Sequence, residues 1–137
     1  MQVRGSTLIN CPPGQVFAFV ANPANDARWR SHLVSSHGAV HGVGDRVVQT
    51  FSYEGHSKST TLEVTEYAPP ERLAFVFDEA VRVRMAFQFR PEGSGTRVSI
   101  MLSSALSGVA AVFEGRIQTE AERLIRTDLG RLKTACE

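Results

Sequence analysis

The C-terminal stretch Ser107–Ala135 constrains the fold most, because it predicts one long amphipathic helix. Charged residues between its apolar positions, among them Glu120, Arg123 and Asp128, fit a solvent-facing side. At about 1.5 Å per residue the helix would be about 40 Å long, so its apolar face needs a broad partner. The apolar residues recur in steps of three, four and seven, the spacing of one helix face: Val109, Val112, Phe113, Ile117, Ala121, Leu124, Ile125, Leu129 and Leu132.

Alternating apolar and polar residues predict that this partner is a β-sheet. The clearest alternation runs from Val81 to Phe89, and similar runs precede and follow it. Turn-forming residues at Gly55, 68–71 and 91–95 separate the runs. Short connections of this kind join antiparallel strands. About six strands are therefore expected between Leu33 and Leu102.

The first third of the chain adds one strand and two short helices. Residues 2–10 alternate like a strand, and two prolines then end it. Asn22-Pro23 separates the two short helices, because Asn is a good N-cap and Pro a good first helical residue. The sequence thus predicts an α+β domain with a sheet of about seven strands that curls around the long C-terminal helix.

Length and charge exclude several classes of protein. A chain of 137 residues fits one domain, residues 1–137. A net charge of +1 argues against a nucleic-acid-binding groove. The apolar runs are shorter than the roughly 20 residues of a membrane span, and the N-terminus lacks the pattern of a signal peptide, which predicts a cytoplasmic location. Cys11 and Cys136 are expected to be thiols.

Four stretches, in their order and spacing, resemble the START-like SRPBCC (Bet v 1-like) superfamily, in its branch of polyketide cyclase/dehydrase and lipid-transport proteins. The resemblance implies a helix-grip fold, with a deep cavity between a curved antiparallel sheet and the C-terminal helix. Members hold lipids, polyketides, sterols, hormones or quinone-like molecules there. The branch shares no catalytic motif that could be transferred. The stretches are Ile9–Phe17 with Asn22-Pro23 and Trp29, then Gly42–Arg46, Glu63–Leu73 and Gly95–Ser99.

The residues expected to contact a ligand are the large side chains on the inner faces of the strands and the helix. For the apolar ones the alternative is plain core packing, and Trp29 could equally be a structural anchor. Gln49, Thr60, Tyr53 and Glu66 are the polar groups expected to orient a ligand. The predicted ligand-binding set is Trp29, Gln49, Phe51, Tyr53, Leu62, Val64, Phe75, Phe77, Val83, Met85, Phe87, Phe113 and Ile117.

Three residues are weak candidates for acid–base chemistry, namely His32, Tyr53 and Glu66. A histidine can exchange protons near neutral pH, and a buried carboxylate can act as a general base. The alternatives are an exposed loop position for His32 and the sheet rim for Glu66. His37 and His41 are four apart, but the glycines around them argue against a helix, so no metal site is expected.

The sequence favours a carrier or binding protein for a small hydrophobic molecule, because no nucleophile–base, zinc or phosphate-loop pattern is present. The alternative is a polyketide cyclase/dehydratase-like enzyme that uses the same cavity. A third class, an interaction module, would need an exposed apolar outer sheet face, which the sequence does not offer. No cofactor, nucleic acid or membrane insertion is expected, and the protein is predicted to be a monomer or homodimer.

Overall fold

The computed structural model describes residues 1–79, 81–105 and 112–137. Seven strands form one antiparallel sheet in the order β1-β7-β6-β5-β4-β3-β2, so β1 and β2 are its edges. The sheet is curved, and the predicted α+β helix-grip architecture is confirmed. The elements are β1 (Gln2–Ile9), α1 (Pro13–Val20), the 3-10 helix η1 (Pro23–Arg28), β2 (Leu33–Gly38), β3 (Arg46–Tyr53), β4 (His56–Ala68), β5 (Arg72–Asp78), β6 (Arg82–Glu92), β7 (Gly95–Ser104) and α2 (Glu114–Cys136).

The C-terminal helix begins later than its sequence pattern predicts. Helix α2 starts at Glu114, and Phe113 is its N-cap residue. Residues 107–111 of the predicted helix, including Val109, lie outside the described residues. Val112 and Phe113 are 79% and 48% exposed, so the apolar stripe does not reach the sheet at these positions.

Local signals explain several element boundaries. The Asn22 side chain accepts a hydrogen bond from the backbone N–H of Ala24 at 3.1 Å, the capping role predicted for it. Glu54 and Gly55 join β3 to β4 with φ values of 50° and 80°. Two positive φ angles in a two-residue hairpin loop define a type I′ turn, which matches the twist of the strands on either side.

Only the second half of α2 is packed tightly against the sheet. Its buried residues are Ile125, Asp128, Leu129 and Leu132, and within Glu114–Cys136 none lies before Ile125. The closest approach is at Gly5 in β1, where an added Cβ would lie 2.6 Å from Cγ2 of Ile125. The absence of a side chain at Gly5 lets the helix come this near. The first half of α2 therefore extends past the packed core.

Helix α1 covers the sheet at the same end of the molecule. The ring of Phe17 packs edge-on against Phe89, with centroids 5.2 Å apart, and against Tyr67 at 5.6 Å. Val16 and Val20 are buried beside it. With α1 and the second half of α2 packed at this end, a large space remains between the sheet and the first half of α2.

Candidate ligand-binding cavity

A cavity of about 800 Å³ separates the first half of α2 from the inner face of the sheet. Side chains from four strands, from α2 and from the segment after η1 form its walls. The cavity is therefore bounded by elements far apart in sequence, which short-range patterns cannot bring together. Its apolar lining consists of Trp29, Phe51, Phe77, Met85, Ile100, Leu102, Ala121, Leu124 and Ile125.

Polar and charged side chains surround the exposed end of the cavity. His32 lies against Tyr53, with ring centroids 4.7 Å apart in an edge-on arrangement, and Tyr53 is 54% exposed. On the helix, Arg123 forms an ion pair with Glu120, and Arg116 lies further towards the N-terminus. The hydrogen bond from Arg123 holds the pKa of Glu120 below its usual value. This end is the polar mouth of the cavity.

The opposite end contains Arg30, a cation largely removed from water. Its side chain is only 17% exposed. The guanidinium carbon lies 5.5 Å from the Trp29 ring centroid and 5.6 Å from that of Phe51. Burial lowers the pKa of Arg30, while the nearby carboxylates of Asp128 and Asp26 raise it. Because a guanidinium loses its proton only far above neutral pH, Arg30 stays charged.

Asp128 holds Arg30 and the segment around it against the helix. Its Oδ2 lies 3.5 Å from Nε of Arg30, and its Oδ1 accepts the backbone N–H of Ser31 at 3.0 Å. The Ser31 hydroxyl donates to the same oxygen. One carboxylate on α2 thus fixes two consecutive residues of the segment between η1 and β2.

A second buried carboxylate, Asp26, lies behind Arg30. It accepts hydrogen bonds from the Ser36 hydroxyl at 2.7 Å and from Nε2 of Gln49 at 3.0 Å. Burial raises the pKa of Asp26, and the two hydrogen bonds and Arg30 oppose that rise. Two smaller spaces, of about 10 and 180 Å³, adjoin this region, and Arg30 lines both of them as well as the main cavity. Arg30 therefore lies where the three spaces meet.

The structure divides the sequence-predicted residues into four groups. Trp29, His32, Phe51, Tyr53, Phe77 and Met85 line the main cavity. Gln49, Leu62, Phe75 and Phe87 line the smaller spaces behind it, as does Thr60. Val64 belongs to the packed core. Val83, Phe113 and Ile117 line none of these three spaces.

The inward orientation predicted for Glu66 is wrong. The pairing of β4 with β5 shifts register between Val64 and Glu66, and such an irregularity breaks the simple alternation of faces. Glu66 instead lies beside Arg84 and Arg72, at 3.6 and 4.0 Å, with its side chain 40% exposed. It contributes to the outer surface of the sheet together with Arg84.

The solvent-facing position predicted for Asp128 is also wrong, since the residue is buried. Helical spacing carried the signal: Ile125, Asp128, Leu129 and Leu132 follow the i, i+3, i+4, i+7 pattern of one face. Arg30 is a buried charged residue of the cavity wall that sequence reasoning missed. Its chemistry depends on Asp128, nearly a hundred residues away, and no local pattern marks it.

The two histidines considered for a metal site are separated by the end of a strand. His37 lies in β2, and the backbone N–H of His41 donates to Asp45 at 2.7 Å in the following loop. Among the residues that the structure describes, no group of three His, Cys, Asp or Glu side chains could hold a metal ion. None of the described helices is long and apolar enough to cross a membrane.

Comparisons with known proteins identify the fold and the family. The family model for polyketide cyclase/dehydrase and lipid transport proteins matches residues 1–137. A comparison with curated protein sequences finds no match.

Solved structures at low sequence identity share the fold. TTHA0849 from Thermus thermophilus is 21% identical, with a TM-score of 0.82 and coverage of 99% of this chain and 97% of its own. Ara h 8.0201 is 11% identical, with a TM-score of 0.69 and coverage of 98% of both chains. The di-domain ARO/CYC protein BexL, from the BE-7585A biosynthetic pathway, is 19% identical, with a TM-score of 0.76 and coverage of 98% of this chain and 45% of its own.

Proposed function

The chain belongs to the polyketide cyclase/dehydrase and lipid transport family, and on that premise we propose that it binds a small hydrophobic molecule as a carrier or binding protein. The observation that carries the proposal is the cavity of about 800 Å³ under the first half of α2. Small-molecule sites are typically concave, about 300–1,000 Å³ in volume, and mostly apolar with a few placed polar groups.

The lining supplies the driving force for such binding. Rings and aliphatic chains from Phe51, Phe77, Met85, Leu102 and Leu124 border the cavity. A ligand that buries about 300 Å² of apolar surface against them would gain about 7 kcal/mol, before the cost of association is subtracted. Burial of apolar surface therefore favours a ligand that fits the available shape.

Filling the cavity tests the proposal directly. The fluorescence of the neutral probe N-phenyl-1-naphthylamine rises on transfer to an apolar site, so its titration reports occupancy. Leu124→Trp places a large ring in the cavity, while Val48→Trp adds the same ring on the outer face of β3, where Val48 is 41% exposed. We expect Leu124→Trp to weaken probe binding by about tenfold or more and Val48→Trp to leave it unchanged.

Equal binding by both variants and the wild type would show that the probe binds elsewhere and would contradict the proposal. A second measurement is native mass spectrometry of protein purified from its own host. A co-purified apolar compound that is retained by Val48→Trp and lost from Leu124→Trp would identify the natural ligand class.

A catalytic role is the second candidate, and one observation favours it. Charged side chains from three parts of the chain meet at the deep end: Asp26 from η1, Arg30 from the segment after it, and Asp128 from α2. A cyclisation or dehydration needs a proton acceptor and a cation or donor that stabilises the developing oxyanion. Arg30 could supply the second, and so could the donors of Tyr53 and His32, which also line the main cavity.

The positions of the carboxylates make this candidate weaker than binding. Asp128 already accepts from Ser31 and pairs with Arg30, and Asp26 does not line the main cavity. Incubation with a poly-β-carbonyl substrate would separate the two functions. Catalysis would be established if the wild type forms the cyclised product faster than Arg30→Lys while both bind the substrate equally. If the substrate is bound but not converted, binding is the function that remains.

The cytoplasmic location, the lack of a nucleic-acid partner and the monomeric or dimeric state remain predictions from the sequence. Size-exclusion chromatography with light scattering measures the last of these directly.

A further inference from the structure

Resting on the proposed binding function, we propose that the ligand is an amphipathic carboxylic acid, with its carboxylate on Arg30 at the deep end and its apolar body along the cavity wall. The proposal starts from the state of the Arg30 side chain. A guanidinium has five N–H donors and no acceptor. Among the described residues its one ion-pair partner is Asp128, which approaches Nε at 3.5 Å.

That contact is longer than the 2.7–2.9 Å usual for a charge-assisted hydrogen bond. The distance between the two groups is given by Nε of Arg30 and Oδ2 of Asp128, and not by a terminal nitrogen of the guanidinium. A guanidinium binds a carboxylate best through two parallel N–H donors. Arg30 lines the main cavity, and this donor pair is what it offers to a molecule there.

Two aromatic rings restrict the position of the guanidinium. Trp29 and Phe51 each have their ring centroid between 5 and 6 Å from its central carbon, at 5.5 and 5.6 Å. Cations are attracted to aromatic faces at this separation. A side chain held between two rings and one carboxylate loses little further freedom when a ligand binds, which favours affinity.

A second polar group in the same wall also lacks a partner. Trp29 is only 2% exposed and lines the main cavity, yet its Nε1–H has no hydrogen-bond acceptor among the described residues. A buried N–H without an acceptor costs free energy. An oxygen-bearing group at this end of the cavity would give that donor a partner after a small rotation of the ring.

The charges along the cavity favour an anion. Arg30, Arg116 and Arg123 line it, against Glu120 and Asp128, which leaves an excess of one positive charge. Glu120 is paired with Arg123, and Asp128 approaches Nε of Arg30, so the surplus charge of the lining is that of Arg116 at the mouth. One ligand carboxylate would balance the charge of the lining. Asp26 lies behind Arg30, and burial raises its pKa; where it is ionised it opposes an anion at Arg30.

The ligand can be oriented in only one way if its carboxylate is on Arg30. Asp128, which contacts Arg30, and Arg116 at the mouth are 128 − 116 = 12 residues apart in α2, or roughly 18 Å along the helix axis. Phe77, Leu102 and Leu124 border the space between them. The apolar body therefore extends from Arg30 towards the mouth.

The test compares dodecanoate with dodecan-1-ol, which share an apolar chain and differ in the head group. Isothermal titration calorimetry of the wild type is expected to give a dissociation constant about 10- to 100-fold lower for the acid, the contribution of a charged hydrogen-bonded pair. Arg30→Lys keeps the charge but removes the paired donors, so it should reduce the preference. The double variant Arg30→Met with Asp128→Leu removes both members of the buried ion pair together and should abolish the preference while dodecan-1-ol still binds.

Arg84→Met is the matched control, because Arg84 lies on the outer face beside Glu66, and it should keep the preference. Equal affinity of the wild type for both compounds would overturn the carboxylate assignment and leave the binding function intact. The assignment is also wrong if Arg116→Met, and not the double variant, removes the preference. If the wild type binds neither compound nor the naphthylamine probe, the binding function itself fails.

Discussion

Asp128 accepts the backbone N–H of Ser31 at 3.0 Å, and this bond ties the C-terminal helix to the segment that carries Arg30. The same carboxylate contacts the Arg30 guanidinium. The position of the buried cation in the cavity wall is therefore set by a residue from the other end of the chain. Asp128 therefore affects both the shape of the cavity wall and the position of its buried charge.

Removal of the Asp128 carboxylate should cost stability. Asp128→Ala leaves Arg30 without its ion-pair partner and Ser31 without its acceptor, and breaking a buried pair on one side typically costs about 3–5 kcal/mol. Asp128→Asn keeps an acceptor for Ser31 and should lose less. Urea unfolding followed by circular dichroism measures both. Glu120→Ala, an exposed site on the same helix, is the control, and a loss at Glu120 as large as that at Asp128 would contradict the anchoring role.

A methyl group at Gly5 should separate α2 from β1. The added Cβ would lie 2.6 Å from Cγ2 of Ile125 and 3.1 Å from Cδ1 of Leu129. Because Ile125 is β-branched and buried, it cannot turn aside freely, and overpacking of this kind costs about 1–3 kcal/mol. Thermal unfolding of Gly5→Ala should therefore begin at lower temperature.

Gly130→Ala, in α2, should instead stabilise the folded protein. Nothing lies within 4 Å of a Cβ at Gly130, and Ala is favoured over Gly in a helix by about 1 kcal/mol. The two substitutions add the same atoms and should shift the free energy of unfolding in opposite directions. Stabilisation by both would mean that the helix does not approach Gly5 as closely as described.

The pH dependence of stability should reveal the buried Asp26. Its folded-state pKa is raised above the ordinary value of 3.8, chiefly by burial. The folded protein therefore holds this proton to a higher pH than the unfolded chain does, and the Asp26 contribution to stability falls as pH rises from about 3.8 to the raised folded value. Asp26→Asn removes the titration.

The unfolding free energy of the wild type minus that of Asp26→Asn should thus become more negative between about pH 3.5 and about pH 7, values chosen to lie on either side of the transition. Denaturant titrations at the two pH values give this difference. A difference that becomes more positive with pH would mean that the hydrogen bonds from Ser36 and Gln49 outweigh burial.

The two thiols should react slowly in the folded protein. Burial, with the adjacent Cys11 thiol, raises the pKa of Cys136 to about 11, and the Cys11 thiol is buried and donates to the Cys136 carbonyl at 3.0 Å. Only the thiolate is nucleophilic, so modification by iodoacetamide at about pH 8 should be about 100-fold slower for Cys136 than for an unperturbed thiol. Denaturant should restore the ordinary rate, and mass spectrometry of timed samples measures it. Equal rates in folded and unfolded protein would contradict this burial.

Sequence periodicity predicted the elements of the fold but not the polar end of the cavity. The strand β6 pairs with its neighbours in sequence, β5 and β7. Its alternation and the turns at Gly55 and 91–95 depend on residues close together in the chain, so the sequence was sufficient to predict them. Glu66 illustrates where this reasoning ends. A register shift after Val64 reverses the predicted face, and the preceding alternation contains no sign of it.

Asp128 and Arg30 show a different limit. Asp128 was assigned to the solvent-facing side because it was grouped with the charged residues that lie between the apolar positions of α2. Burial of a lone carboxylate is unfavourable. The residue is not alone, since Ser31 and Arg30 satisfy it across the fold. Tertiary partners of this kind decide whether a charge is buried, and they cannot be identified before the chain segments are placed next to each other.

The uneven packing of α2 has a consequence for how such a protein can diverge over generations. Its buried residues from Ile125 to Leu132 contribute to folding, whereas Arg116, Glu120 and Leu124 border the cavity without being buried in the core. Mutations in the earlier turns can therefore change the lining of the cavity at little risk to the native state. One short segment can vary among descendants that keep the same scaffold.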